Sequence, residues 1–326
     1  MRTSLAIAIG LMMGLLLGGC NDSFNPKAPF EEQYVFQCFL NTSITQIALL
    51  SHSYDVQGID PLTNLTDPSL VGAEILLTVD GTVYRMRDSI RKLRTPSRYD
   101  TVQHFYSVDG TIIKPANKVT MTARLPNGKI LSAGTTVPLS RAFKWSIEYP
   151  NGLHTKRNIP YGVNSITVDW EDYEESEGHL FFPRLLIKYS KAGDSVEIWK
   201  TVEVPVRYAR TNGNWVPAFP IGSTANFCTF DLAAIDSAMA GIAGNDPNKS
   251  NYSLSMMTLY MQEYDTPLSK YYSSIGGSMD QFSIRADRSV YTNVNGGVGI
   301  LGSYYTNWAE VPLDPLYVRS FGYRYR

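Results

Sequence analysis

Lys118-Val-Thr-Met-Thr-Ala-Arg124 alternates polar and apolar residues with period two, and Pro126-Asn-Gly-Lys129 follows at once. A strand with that period buries one face and wets the other. The Asn-Gly pair turns the chain back into a second strand, Ile130 to Val137. The buried face of such a hairpin demands a covering layer. Earlier segments can supply it. Tyr34 to Leu40 and Gln46 to Tyr54 are rich in β-branched and aromatic residues. Ala73 to Val79 leads through the Asp80-Gly81 turn signal into Thr82 to Met86. Residues 33–140 are therefore predicted to form an immunoglobulin-like or fibronectin-like β-sandwich.

Residues 141–326 continue the pattern as a second β-rich domain. Phe143 to Tyr149, Ser165 to Trp170, Leu180 to Tyr189 and Val196 to Tyr208 all read as strands, and Tyr252 to Tyr264 is long, apolar and β-rich. Two helices are predicted as insertions. One spans about 231–243, with Asp231 as cap and Leu232, Ile235, Met239 and Ile242 on one side. The other spans about 266–276, opened by Thr266-Pro267 and closed by Gly276-Gly277. The fold class is thus mainly β with a few short helices, and no internal repeat is visible.

The N-terminus has a different grammar. A basic start at Arg2 precedes an apolar run from Leu5 to Leu17, and Gly18-Gly19 precede Cys20. The run is short for a spanning helix, which needs about 20 residues, and its layout is that of a secretory signal peptide. Leu17-Gly-Gly-Cys20 looks like a bacterial lipobox. On that reading residues 1–19 are removed, Cys20 is lipidated, and residues 20–32, polar with two prolines, tether the lipid to the first domain. The alternative is an uncleaved membrane anchor with an incidental cysteine. One acyl chain holds a protein only marginally and stable anchoring takes more than one.

Charge excludes some partners. Removing residues 1–19 takes away Arg2 and no acid, so 29 basic residues become 28 against 30 acidic, a balance of −2. Such a chain has no electrostatic reason to seek nucleic acid. With 21 Tyr and 13 Phe, it suits strands and binding through aromatic faces. Cys38 and Cys228 remain after Cys20; export would let them pair, but the favoured reading is two separate small hydrophobes. His52, His104, His154 and His179 show no metal-ligand spacing, and no Cys-x-x-Cys occurs. No metal and no cofactor is expected.

Motifs for chemistry are weak. Gly297-Val-Gly299-Ile-Leu-Gly302 has the G-x-G-x-x-G spacing, yet aromatic Ser303 to Trp308 follows where a dinucleotide site needs a helix. The glycines read instead as a bend where backbone packs closely or φ is positive. Asp169, Glu171, Asp172, Glu174, Glu175 and Glu177 form an acidic run. It lacks the calcium-loop pattern, and a glycosidase carboxylate pair is conceivable there. A solvated, self-repelling loop is the favoured reading. No G-x-S-x-G elbow or phosphate-binding loop is present, so no catalytic residue is assigned. Trp215, set among loop formers in Asn212-Gly-Asn-Trp-Val-Pro217, is the best candidate for an exposed aromatic that contacts a ligand.

Cys20, Glu32 to Leu40, Val71-Gly-Ala-Glu-Ile75, Gly134-Thr-Thr-Val-Pro138 and Thr292 to Tyr304 stand in an order that resembles the DUF4249 family of Bacteroidota lipoproteins. Its most specific element is the closing Asn-x-x-Gly-Gly-x-Gly motif, carried here by Asn293, Gly296, Gly297 and Gly299. Ile300-Leu301 departs from the aromatic common in the family. The resemblance implies an outer-membrane lipoprotein held by lipidated Cys20, facing the cell exterior and partnered with a TonB-dependent barrel. The implied role is a non-catalytic binding subunit. A structural or adhesive surface protein, or an envelope glycan or peptide hydrolase, is the alternative. The resemblance also implies O-glycosylation at Asp-Ser/Thr-apolar sites, which Asp88-Ser-Ile90, Asp100-Thr-Val102, Asp194-Ser-Val196 and Asp236-Ser-Ala238 match. Asp22 is a faint trace of a surface-export signal.

Overall fold

The computed structural model describes residues 30–56, 60, 63–65, 67–91, 103–148, 164–192, 199–276 and 291–326. Cys20, Asp22, the signal segment, most of the tether, Asp100-Thr-Val102 and Asp194-Ser-Val196 lie outside them. The chain is mainly β with three short helices among the described residues. The first half supplies β1 (Tyr34–Leu40), β2 (Thr45–His52), β3 (Glu74–Val79), β4 (Thr82–Arg91), β5 (Gln103–Asp109), β6 (Lys118–Arg124) and β7 (Ile130–Thr136). The second half adds β8 (Phe143–Glu148), β9 (Ser165–Trp170), β10 (Leu180–Lys191), β11 (Trp199–Val204), β12 (Arg207–Thr211), β13 (Asn214–Ala218) and β14 (Phe227–Asp231). Helix α1 (Leu232–Gly241), β15 (Tyr252–Leu254), β16 (Met256–Tyr264), α2 (Thr266–Gly276), β17 (Val298–Pro312), α3 (Pro315–Ser320) and β18 (Arg324–Tyr325) complete the order.

The alternating segment forms β6 as its period requires, with Val119, Met121 and Ala123 buried and the residues between them exposed. It pairs with β3 and β7 in one layer, β3–β4 extending it. The other layer runs β1-β2-β5-β4, so β4 bends through both: its first half pairs with β3 and its second with β5. Between the layers lie Phe36, Leu40, Ile75, Leu77, Met121 and Leu131. At the opposite edge Ser132 of β7 and Asn295 exchange both backbone hydrogen bonds, at 3.1 and 2.8 Å. That bridge joins the layers where they would otherwise stay open.

The second core lies between a sheet of β10, β11, β15, β16, β18 and half of β17, and a cover made of α1 and the sheet β14-β9-β8. Ile166, Leu185, Phe230, Ile235, Met257 and Leu259 fill it. The β12–β13 hairpin forms a separate two-stranded sheet. No helix among the described residues is long and apolar enough to cross a membrane.

One strand belongs to both cores. Residues Val298 to Ser303 of β17 pair in parallel with β1, and Tyr304 to Pro312 pair antiparallel with β16. Val294 and Leu301 are buried in the first core, Val311 and Leu313 in the second. Residues from both sides of the expected division near 140 therefore share the first core.

Local expectations need several corrections. Val196 to Tyr208 is interrupted at Pro205, which has no N–H for a ladder; β11 ends at Val204 and β12 starts at Arg207. Asp231 stands at the N-cap of α1 without a side-chain cap bond, and the helix ends at Gly241. Strands β5, β13, β14 and β18 and helix α3 have no counterpart among the expected elements, and the loop formers around Trp215 lie on β13. Cys38 and Cys228 are both free, one in each core, and burial pushes both thiols up to about 12. Of the two glycosylation-like matches within the described residues, Asp88-Ser-Ile90 lies on β4 and Asp236-Ser-Ala238 lies inside α1.

Candidate functional site

The two sandwich units meet along a cleft of about 810 Å³. One wall is the outer face of β6 and β7, where Lys118, Thr120, Gly134 and Thr136 point away from the first core. The facing wall is Glu175 and Ser176 of a short 3₁₀ turn, with His179 just beyond. Asp265, Thr266 and Pro267 at the start of α2 close the cleft, and Val119, Val137 and Pro138 line its apolar part.

Behind this wall sits a buried ionic cluster. Arg141 leaves the first unit and places its guanidinium against Glu263, which lies on β16 with no solvent exposure. Its Nη2 donates to Glu263 Oε1 at 2.6 Å and its Nε donates to Oε2. The same guanidinium donates to the Glu171 carbonyl and the Ser176 hydroxyl. It lies between the rings of Tyr173 and Phe181, 4.9 and 5.1 Å from their centroids. Arg141 thus holds the acidic run in place from inside. His179 Nδ1 is 2.7 Å from Glu263 Oε1. Burial pushes the Glu263 carboxyl upward, but Arg141 and then His179 outweigh it and hold the group below its ordinary range. An ionised Glu263 accepts from the Nδ1–H of the His179 ring. Nδ1 is the nitrogen spent on Glu263, and His179 lines the cleft.

Asp265 is the second buried carboxylate. Its Oδ1 caps α2 by accepting from Leu268 N at 2.8 Å. Its Oδ2 accepts from Ser303 N and Oγ, both at 2.6 Å, and from the Thr135 hydroxyl. One carboxylate therefore ties β7, β17 and α2 together. Burial pushes its pKa up against these donors. Both carboxylates spend their oxygens on protein groups. Among the described residues no group of three or more His, Cys, Asp or Glu is placed to hold a metal ion.

The sequence-derived candidates fall elsewhere. Asn293, Gly296, Gly297 and Gly299 form the entry to β17. Asn293 accepts from Leu301 N at 3.0 Å and donates to the carbonyls of Leu301 and Gly134 at 2.8 and 3.2 Å. A Cβ at Gly297 would stand 2.5 Å from the Tyr34 carbonyl oxygen, and one at Gly299, whose φ is +118°, would overlap that of Phe36. The glycines let β17 lie against β1, and a strand follows them where a nucleotide site needs a helix. Trp215 sits on β13 just after the Asn212-Gly213 turn, 70% exposed. It is not among the residues lining the cleft. Asp169, Glu171 and Asp172 line a shallower cavity of about 530 Å³ with Lys144 and Tyr173. The Tyr173 hydroxyl bonds Glu171 at 2.5 Å and holds that carboxyl below its usual range.

Arg141, Glu263, His179 and Asp265 were not singled out as a group from sequence. One signal was available: Glu263 is the lone acid in the apolar run of β16, and a carboxylate in a buried strand needs a cation. No protein-family model matches the chain, and no curated protein matches it.

Proposed function

We propose that the chain is an outer-membrane lipoprotein, lipidated at Cys20 and facing the cell exterior, which acts as a non-catalytic binding subunit alongside a TonB-dependent barrel. The observation that carries the non-catalytic part of this reading is the state of the cleft. It is open to solvent, yet the buried charges behind it are committed to internal partners. A carboxylate acting as catalytic acid or base needs an oxygen free to reach substrate; both oxygens of Glu263 and of Asp265 are engaged by protein donors. The Leu17 to Cys20 stretch supports the anchor, and the resemblance to the DUF4249 lipoproteins supports the address and the company.

A structural or adhesive surface role is the second reading. It is favoured by Trp215, Val216, Phe219, Ile221 and Phe227, large apolar side chains left exposed along one segment. Affinity purification from native membranes in mild detergent separates the two. A stoichiometric outer-membrane barrel in the eluate is expected, and a solitary protein contradicts the partnership. Cys20→Ala is expected to release the protein from the membrane fraction or leave it unprocessed; unchanged lipid labelling overturns the anchor.

A further inference from the structure

We infer that the cleft between the two units is a binding site for a small, uncharged, hydroxyl-rich molecule, a polyol or saccharide. This deepens the binding role proposed above and rests on it. The volume of about 810 Å³ lies within the span of roughly 300–1,000 Å³ in which small-molecule sites fall.

The chemistry of the walls selects the class. Four hydroxyl-bearing residues, Thr120, Thr136, Thr266 and Ser176, line the cleft. Each can donate and accept, as the hydroxyls of a polyol can. The Ser176 oxygen already accepts from Arg141, which leaves its proton to be given elsewhere. His179, which lines the cleft, is held by Glu263 through Nδ1, so its ring stands in a preset orientation with Nε2 not spent on that bond. Both residues are over nine-tenths buried, so a ligand seated against them must meet their polar groups or leave them unpaired. A hydrocarbon leaves them unpaired. A strongly charged ligand fits no better. Lys118 and Glu175, on opposite walls, carry opposite charges, and the Asp265 oxygens are filled by protein donors. The accessible aliphatic part of the lining, the half-buried Leu139 and Pro267, offers a surface to the C–H faces of a ring.

The test is calorimetric titration of the full chain, in mild detergent and without a barrel, against glucose, N-acetylglucosamine, maltose, cellobiose and inositol. At least one probe is expected to bind with a Kd of about 1 mM or tighter. His179→Asn is expected to weaken that binding about tenfold, the loss of one buried hydrogen bond. Should His179→Asn unfold, Thr136→Arg carries the test. Thr136 is exposed on β7, and the larger side chain fills the cleft without entering the core; binding is expected to vanish while thermal unfolding stays put. Failure of every probe to bind overturns the assignment, as does binding that survives Thr136→Arg unchanged. Either result leaves the barrel partnership standing, and a solitary protein in the pull-down leaves the cleft standing.

Discussion

Gly299 shows how a single missing side chain permits the architecture. At φ +118°, with the Phe36 carbonyl where a Cβ would go, it suffers both strain and overlap on substitution. Gly299→Ala is expected to cost about 3 kcal/mol or more in denaturant unfolding. Gly81→Ala is the control: its φ is +86° but nothing lies within 4 Å, so about 1 kcal/mol is expected. The glycine spacing was visible in the sequence as a close approach of backbone, because glycine has few other uses inside a strand. The identity of the backbone approached was not visible, since Phe36 is far away in the chain. The cleft was less legible still. Arg141, His179, Glu263 and Asp265 come from separate elements, and a single ionisable residue in each carries no spacing signal. At the surface, Asp246 offers a pH test. Its bond to Lys191 Nζ at 2.9 Å, its bond to Asn248 N at 2.9 Å and that to the Tyr252 hydroxyl at 3.0 Å hold its pKa near 2, down from 3.8. A depressed carboxylate stabilises the fold above its unfolded value and loses that contribution as pH falls through the folded one. The stability gap between wild type and Asp246→Asn should therefore be full at neutral pH and close as pH falls from about 4 to about 2. A gap that stays constant with pH contradicts this role.

Caps separate the helices that local sequence builds from those that packing imposes. Asp314 accepts from Leu316 N at 2.7 Å and Tyr317 N at 3.3 Å, and Pro315 opens α3 behind it. Asp231 occupies the corresponding place before α1 and makes no such bond. Asp314→Ala is expected to cost about 1 kcal/mol, whereas Asp231→Ala should fall within about 0.5 kcal/mol of wild type. Equal losses in chemical denaturation would show that the two caps do not differ. The Asp-Pro pair at 314–315 was a readable start signal, but the helix behind it is only Pro315–Ser320, too short for a period to register. Strand β5 escaped for a related reason. Its buried residues are the consecutive Tyr106, Ser107 and Val108, so it shows no alternation to detect. By contrast β6 and β9 declared themselves, because half-burial prints the period directly on the sequence.

At the scale of the molecule, two cores are joined by one strand and two buried carboxylates. Arg141→Ala would leave Glu263 charged and without its main partner, at a cost of about 3–5 kcal/mol. The double variant Arg141→Met, Glu263→Leu removes both charges and should lose less than Arg141→Ala alone. The larger consequence concerns independence. Residues 33–140 read as a complete sandwich, yet their first core is finished by Val294 and Leu301 and their β1 edge by Val298 to Ser303. Without those residues Phe36 and Leu131 lose apolar cover, the Ser132–Asn295 bridge is gone, and β1 presents an unpaired row of N–H and C=O groups. A fragment of residues 33–140 is therefore expected to give a poorly dispersed amide spectrum and to associate through its open edge. Adding a peptide of residues 291–304 in trans should restore dispersion, because it returns the Asn293 clamp, the glycine entry and the parallel ladder together. A well-dispersed spectrum from the fragment alone would show that β17 decorates the first unit; rescue by the peptide would show that it completes it.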